Sequence, residues 1–189
     1  NSLLVIDESF IDFVGNDTLQ DNEYSMRSLV NEFDNIIVVH SFTKFYAVPG
    51  LRIGAAFSDP LIIEQINSFI PTWSVNTLAQ AYTEAALNDV EYVKRTKQEL
   101  REEQGFVYSS LDAIPSITVY PPSANFILFH IDQEGITAES INEALKKHNM
   151  IIRNCDSYMG LNNQWVRVAI KDHDTNVRLV EKLTDILKV

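Results

Sequence analysis

The fold of this chain is decided by the stretch His40-Ser-Phe-Thr-Lys44-Phe-Tyr-Ala-Val-Pro-Gly-Leu-Arg52-Ile-Gly54. The apolar run at residues 36–39 precedes it and predicts a buried strand, which places Lys44 in a loop at the carboxyl end of that strand. A second apolar run, at residues 3–6, ends in Asp7-Glu8. Because open α/β sheets bind ligands at the carboxyl ends of their strands, we expect an amine and a carboxylate at the same edge of a sheet.

An amine paired with a carboxylate in this way favours pyridoxal 5'-phosphate (PLP) as a cofactor. PLP withdraws electrons only when its ring nitrogen is protonated, so an anion such as Asp7 is needed beside it. Lys44 is the candidate Schiff-base partner, and a neighbouring cation such as Arg52 would help its amine to lose a proton. The planar donors of Arg52 also suit a phosphate, and Ser41 and Thr43 offer hydroxyl groups to it.

Each of these residues also has a plain structural interpretation. An aspartate after an apolar run is commonly a strand end or a helix cap, and a lone lysine or arginine is commonly solvated surface. Short motifs often match by chance. The prediction of a cofactor therefore depends on Asp7, Lys44 and Arg52 occurring together.

Five stretches carry a resemblance to a known family. They are Val5-Ile-Asp-Glu-Ser-Phe-Ile-Asp-Phe13, Ser41-Phe-Thr-Lys-Phe-Tyr-Ala-Val-Pro-Gly-Leu-Arg-Ile-Gly54, Trp73-Ser-Val-Asn-Thr-Leu-Ala-Gln80, Ala124-Asn-Phe-Ile-Leu128 and Ile152-Arg-Asn-Cys-Asp-Ser-Tyr-Met-Gly-Leu161. In this order they resemble segments of fold-type I PLP-dependent aminotransferases. Within that fold the chain is most similar to the group of threonine-phosphate decarboxylases and histidinol-phosphate aminotransferases.

The resemblance implies a role for each matching residue. Asp7 would pair with the ring nitrogen of the cofactor, and Lys44 would form the Schiff base. Ser41 and Arg52 would hold the cofactor phosphate. It also implies that the chain is the C-terminal half of a longer enzyme, because the phosphate loop and the stacking aromatic ring of such enzymes belong to a first half that this sequence does not contain. The complete enzyme would be a homodimer.

Arginines in the second half of the chain are the candidates for substrate binding. The sequence Trp165-Val-Arg-Val-Ala-Ile170 alternates, so Arg167 lies on the face opposite the two valines. An arginine between apolar residues is costly to bury alone, so two interpretations are open. Arg167 either binds a carboxylate or phosphate of the substrate through paired hydrogen bonds, or forms an ordinary ion pair with an acidic residue. Arg153 has the same two interpretations, and the resemblance implies that both arginines bind the acidic ends of the substrate. Asn125 is either a contact to the substrate carboxylate or a turn residue.

Two local features favour a decarboxylase. Histidinol-phosphate aminotransferases usually carry Asp-Glu-Ala-Tyr where this chain has Asp7-Glu8-Ser9-Phe10, and a phenylalanine has no hydroxyl to bond the ring oxygen of the cofactor. The pattern over residues 153–161 is also more similar to the decarboxylases. We therefore predict PLP-dependent decarboxylation of an O-phosphorylated amino acid, L-threonine O-3-phosphate to aminopropanol phosphate, in cobalamin biosynthesis. Transamination of histidinol phosphate or a related substrate and a catalytically incomplete fragment are the alternatives.

The composition restricts the class of protein. The chain has 189 residues, 46% of them hydrophobic, which is enough for a substantial core. Its 15 basic and 26 acidic residues give a net charge of −11, which argues against a nucleic-acid partner and suits a small anionic substrate that is bound by a few arginines. Cys155 is the only cysteine, so an internal disulfide is impossible, and a reducing, cytoplasmic location is expected. No apolar run has the length of a membrane span, so no membrane partner is expected.

The order of the elements predicts an α/β fold in three parts. Residues 1–88 are expected to be the C-terminal portion of the PLP-binding large domain, with a parallel-rich sheet that helices cover on both faces. Residues 89–114 are expected to form a linking helix, and residues 115–189 a small α+β domain with antiparallel strands and two helices. The predicted strands are residues 3–7, 36–41, 53–57, 117–120, 125–131, 151–153 and 165–170. The predicted helices are residues 28–33, 60–69, 75–87 with Ser74 as the cap, 89–111, one capped by Thr137, and a closing helix.

Overall fold

The computed structural model describes residues 2–15 and 22–187, and the chain divides into two compact units, Asn1–Thr96 and Lys97–Val189. Its strands are β1 (Leu4–Asp7), β2 (Ile36–Ser41), β3 (Gly54–Phe57), β4 (Ile117–Ala124), β5 (Phe126–Ile131), β6 (Arg153–Asn154) and β7 (Trp165–Ala169). Its α-helices are α1 (Pro60–Phe69), α2 (Thr77–Asn88), α3 (Val90–Asp112), α4 (Ala138–Lys146) and α5 (His173–Leu187). Short 3-10 helices occur at Ile11–Phe13, Arg27–Asn31 and Pro49–Leu51.

The first unit contains a three-stranded mixed sheet in the order β1-β2-β3. Strands β1 and β2 are parallel, with Asp7 opposite Val39, so the predicted adjacency of these two strands is confirmed. Strand β3 runs antiparallel to β2, with Gly54 opposite Ser41. The expectation of a parallel-rich sheet is therefore wrong for β3. A parallel return needs a long crossover, usually a helix, whereas residues 42–53 contain only a 3-10 turn.

Coverage of this sheet also differs from the expectation. The first three residues of β2 are buried, but Leu4 and Val5 of β1 are 52% and 57% exposed. Among the described strands β1 pairs only with β2, so it is an edge strand. The prediction that all three strands are covered on both faces is thus wrong for β1.

The helices of the first unit begin at side-chain caps. Helix α1 starts as predicted, with Pro60 at its first position and the Asp59 carboxylate accepting a hydrogen bond from the Leu61 N–H at 2.8 Å. Helix α2 starts at Thr77, because the Asn76 side chain accepts from the Ala79 N–H at 2.8 Å. The prediction of Ser74 as the cap is wrong. The predicted helix over residues 28–33 is instead the 3-10 helix Arg27–Asn31.

The second unit has a four-stranded antiparallel sheet in the order β4-β5-β7-β6, together with helices α4 and α5. Thr137 caps α4 as predicted, in a reciprocal pair of hydrogen bonds with Ser140. The strand predicted at residues 151–153 is shorter and later, at Arg153–Asn154. One apolar core fills this unit, and it includes Val107, Leu111, Ile127, Phe129, Val166, Val168, Leu183 and Leu187. Within the described residues no helix is both long enough and apolar enough to cross a membrane.

Candidate active site

The first sheet brings three of the predicted residues to one edge, the one formed by the carboxyl ends of β1 and β2. Asp7 is the last residue of β1 and Ser41 is the last residue of β2, and these two strands run in the same direction. Because β3 is antiparallel, the chain enters it at this same edge, directly after Arg52-Ile53. The strand order therefore explains how an anion, a hydroxyl and a guanidinium from distant parts of the sequence share one edge.

Lys44 lies in the loop that leaves this edge. Its Nζ donates to the Ser41 Oγ at 3.1 Å, and the Ser41 Oγ shares a hydrogen bond of 2.8 Å with the Thr43 Oγ1. The amine also lies 5.7 Å from the ring centroid of Phe10. The Lys44 side chain is exposed, so its amine is positioned by the loop yet accessible to a ligand.

Asp7 is held as an anion. Its Oδ1 accepts a hydrogen bond from the backbone N–H of Ser9 at 2.8 Å. Hydrogen bonds from the side chain and the backbone of Ser9 lower the pKa of Asp7, the charge of Lys44 lowers it further, and partial burial opposes them. A carboxylate with a lowered pKa suits a protonated ring nitrogen as its partner.

Arg52 follows the turn at Pro49–Leu51 and adopts a left-handed backbone conformation with φ of 53°. Its Nη1 donates to the carbonyl oxygen of Pro49 at 2.8 Å. No ion pair joins Arg52 to a carboxylate in the part of the chain that the structure describes. Donors of this guanidinium thus remain for an external anion. That Arg52 is the cation next to the Lys44 amine stays a prediction.

Gly54 allows β3 to approach β2 closely at this edge. A Cβ atom on Gly54 would lie 2.5 Å from the carbonyl oxygen of His40, closer than side-chain carbons come to backbone oxygens. Only glycine fits at this point of the sheet. The start of β3, and with it the position of Arg52, depends on this contact.

A buried pair beneath this edge was missed from the sequence. The His40 Nε2 lies 2.7 Å from the Asp12 Oδ2, and the two residues are 6% and 5% exposed. The sequence signal for this buried pair was the occurrence of Asp12 and His40 among apolar neighbours. Glu8 is also buried, and it accepts hydrogen bonds from the Ser25 Oγ at 2.8 Å and the Met26 N–H at 2.6 Å. These contacts fix the segments that flank Asp7 and Ser41.

The second unit brings the two predicted substrate arginines together. Arg153 and Arg167 are direct partners in the pairing of β6 with β7. The Arg153 guanidinium carbon lies 5.7 Å from the Tyr158 ring centroid, and that of Arg167 lies 4.7 Å from the Phe126 ring centroid. Neither arginine forms an ion pair with a carboxylate among residues 2–15 and 22–187. As predicted, Arg167 lies on the face opposite the buried valines of β7.

Asn125 precedes β5, and its carbonyl oxygen accepts a hydrogen bond from the N–H of Ile170, the residue after β7, at 2.9 Å. Its side-chain Oδ1 is buried and has no hydrogen-bond partner in the described structure. Cys155 lies near both arginines and is buried; burial raises the pKa of its thiol, whereas the charges of Arg167 and Arg153 oppose that rise. Among the described residues, no group of three or more histidine, cysteine or acidic side chains could hold a metal ion.

Comparisons with known proteins place these sites in a family. The family model for aminotransferase class I and II matches residues 1–183. The chain belongs to the class I and II aminotransferase family. The resemblance predicted from the five sequence stretches is thereby confirmed.

Relatives within the aminotransferase family include enzymes with two different names. The chain is 36% identical over 193 residues to the threonine-phosphate decarboxylase of Salmonella typhimurium, covering 99% of this chain and 49% of that protein. It shares 28% identity and a TM-score of 0.89 with the crystal structure of the histidinol-phosphate aminotransferase from Clostridium acetobutylicum, covering 98% of this chain and 54% of that one. The fold also matches a histidinol-phosphate aminotransferase from Sinorhizobium meliloti, solved in complex with pyridoxal-5'-phosphate, with 19% identity and a TM-score of 0.85 over 98% of this chain and 48% of that one. The chain thus spans about half the length of the relatives it matches.

Proposed function

We propose that this chain supplies the lysine and the substrate arginines of a PLP-dependent enzyme that decarboxylates an O-phosphorylated amino acid. The proposed reaction converts L-threonine O-3-phosphate to aminopropanol phosphate and carbon dioxide, for cobalamin biosynthesis. The bond from the α-carbon to the carboxylate breaks, and a proton takes its place. Similarity to a protein named threonine-phosphate decarboxylase supports this choice.

The residues at the edge of the first sheet fit the cofactor. Lys44 offers an accessible amine to the cofactor aldehyde, and Asp7 offers an anion to the ring nitrogen. Arg52 and Ser41 would bind the cofactor phosphate, for which Arg52 has donors free of any carboxylate in the described structure. When bound, PLP supplies an electron sink for the electron pair that the departing carboxylate leaves behind.

The single observation that carries the proposal is the opposed pair Arg153 and Arg167. Like charges directly opposite each other on paired strands are destabilising, and here no carboxylate of the described residues separates them. A substrate with a carboxylate and a phosphate supplies the missing negative charge, and guanidinium groups bind both anions with paired hydrogen bonds. The Asn125 side chain would add a contact to the substrate carboxylate through its amide nitrogen, which can donate a hydrogen bond.

Phe10 is the observation that favours decarboxylation over transamination. Its ring lies 5.7 Å from the Lys44 amine, so residue 10 is part of the surroundings of the proposed cofactor, and it contributes no hydroxyl there. Transamination of histidinol phosphate is the second candidate, supported by the TM-score of 0.89 with an aminotransferase of that name. Both reactions would use the same lysine and arginines, so the test must compare products.

In the proposed enzyme, residues 1–88 form the C-terminal portion of the PLP-binding large domain. Residues 89–114 contain the linking helix α3, and residues 115–189 form the small α+β domain. The active enzyme is a cytoplasmic homodimer in this proposal. The chain alone is expected to bind the cofactor weakly and to lack turnover, because it spans about half the length of its relatives.

Assay of the full-length enzyme with threonine phosphate and PLP tests the proposal. We expect carbon dioxide and aminopropanol phosphate in equal amounts, and no requirement for 2-oxoglutarate. Borohydride reduction followed by peptide mapping should locate the cofactor on Lys44. Lys44→Ala should lose both product formation and the reduced cofactor adduct. Lys94→Ala, which changes an exposed helix lysine, should keep both. A keto acid product without carbon dioxide, or 2-oxoglutarate-dependent turnover of histidinol phosphate, would overturn the decarboxylase assignment.

A further inference from the structure

A small cavity in the first unit has walls of a different character from the proposed active site. Its volume is about 160 Å³, and it is lined by Tyr46, Tyr82, Ala85, Ala86, Asp89 and Tyr92. None of these six residues has a role in the proposed reaction. Three of the six are tyrosines, and the only charged group among them is a carboxylate.

Packing and hydrogen bonds fix the aromatic walls. The rings of Tyr46 and Tyr92 are nearly parallel, with centroids 5.9 Å apart and planes at 20°. Phe45 meets both rings edge-on, at 5.2 Å and 6.0 Å. The Tyr82 hydroxyl donates to the carbonyl oxygen of Tyr46 at 3.2 Å, and the Tyr92 hydroxyl donates to that of Phe45 at 2.8 Å. The cavity is therefore preorganised, which lowers the cost of binding a ligand.

Two oxygen atoms of the lining residues have no hydrogen-bond partner among the described residues, and the one on the exposed Asp89 is open to a ligand. Tyr46 is 3% exposed, and its buried hydroxyl has no hydrogen-bond partner in the described structure. Burial, the charge of Asp12 and the neighbouring Tyr92 raise the pKa of Tyr46 far above its usual value, so this hydroxyl is neutral. At Asp89, Oδ1 accepts from the Tyr92 N–H at 2.9 Å. No hydrogen bond to Oδ2 of Asp89 is formed by a described residue.

We propose that this cavity binds a small organic cation of the alkylammonium class. The faces of aromatic rings attract cations, and methylated ammonium groups are bound by aromatic cages in other proteins. Asp89 adds a negative charge that favours a cation and repels an anion.

Isothermal titration calorimetry of the full chain with choline tests the proposal. We expect saturable binding with one site per chain. The neutral analogue 3,3-dimethylbutanol replaces the positively charged nitrogen by carbon, and it should bind at least about fivefold more weakly, because it keeps the shape but loses the attraction to the rings and the carboxylate. Equal affinity for the two compounds, or no saturable binding of choline, would refute the proposal.

Variants locate the site. Tyr82→Leu and Asp89→Asn should each weaken choline binding by about threefold or more, whereas Tyr82→Phe should keep it because the ring remains. Asp89→Asn keeps an acceptor for the Tyr92 N–H, so it serves as the test if Tyr82→Leu does not fold. The matched controls Tyr24→Leu and Asp34→Asn change exposed residues outside the cavity lining and should leave the affinity unchanged. Loss of binding in a control equal to that in Asp89→Asn would contradict the assignment of the cavity.

Discussion

Arg153 and Arg167 lie directly opposite each other on β6 and β7, with no described carboxylate paired to either. Their repulsion lowers the stability of the chain when no anion is bound. We expect Arg153→Gln to raise the free energy of unfolding by roughly 0.2–1 kcal/mol at low ionic strength. Urea denaturation measures the change, which should shrink as salt screens the charges. Arg178→Gln, which removes an exposed arginine of α5, should give a smaller effect, and an equal gain from both variants would contradict the argument.

The same pair should respond to an added anion. Phosphate that binds the folded chain between Arg153 and Arg167 stabilises it by mass action. We expect inorganic phosphate to raise the melting temperature of the unmodified chain more than that of Arg153→Gln, at equal ionic strength set with sodium chloride. The same rise in both proteins would show that phosphate does not act through the arginines.

Ser9 should control the ionisation of Asp7. Hydrogen bonds from the Ser9 side chain and backbone are the largest causes of the lowered pKa of Asp7, whereas the charge of Lys44 contributes less. Ser9→Ala should therefore raise the pKa of Asp7 towards its ordinary value of 3.8, and Lys44→Gln should raise it by a smaller amount. An NMR titration of the Asp7 carboxyl carbon measures both shifts, and a larger shift in Lys44→Gln would reverse the order of causes.

The sign of the effect of Asp7 on stability follows from the direction of its shift. A carboxyl group with a lowered pKa in the folded state stabilises the fold above its unfolded pKa, near 3.8, and this contribution is lost as the pH falls through the folded value. At neutral pH the stabilisation should be fully present. Because Asp7 is exposed, solvent screening keeps the contribution small.

The buried contact between Asp12 and His40 should matter more for stability than any exposed ion pair. Removing one partner leaves the other buried without its hydrogen bond, so Asp12→Ala should lower the free energy of unfolding by roughly 2 kcal/mol or more. Glu91→Ala, which breaks the exposed contact with Lys94, should change it by less than about 0.5 kcal/mol. Urea denaturation of both variants checks the contrast, and similar losses would argue against a structural role for the buried pair.

Asn142 should fix the start of β6. Its side chain is buried, accepts from the Ile152 N–H at 2.9 Å and donates to the Ile152 carbonyl oxygen at 3.1 Å. Asn142→Ala should cost roughly 2 kcal/mol, because two buried backbone groups next to Arg153 lose their partner. Glu143→Ala, on the exposed side of α4, should cost much less. Hydrogen exchange at the Ile152 amide should become faster in Asn142→Ala alone.

The sequence predicted those features that depend on local chemistry. The proline start of α1, the cap at Thr137 and the alternation around Arg167 each involve neighbouring residues, and the structure has all three. Ser74 and Asn76 are both good cap residues, so residue type alone could not choose between them.

Features that depend on distant partners could not be predicted in this way. An apolar run contains no information on strand direction, which for β3 is set by the short return through residues 42–53. Asp12 and His40 are separated by 28 positions, so only the folded chain reveals their contact. The opposed arginines likewise depend on the register between β6 and β7, which the alternation of a single strand does not fix.

The contact between Gly54 and the His40 carbonyl has a consequence for engineering the loop at residues 42–53. Ser41 and Gly54 pair with each other, so a single backbone pairing fastens both ends of the loop that carries Lys44 and Arg52. A methyl group at residue 54 would push these ends apart, and the amine and the guanidinium would move with them although neither residue had been changed. The spacing of the Lys44 amine and the Arg52 guanidinium therefore depends on residue 54 carrying a hydrogen atom in place of a Cβ atom.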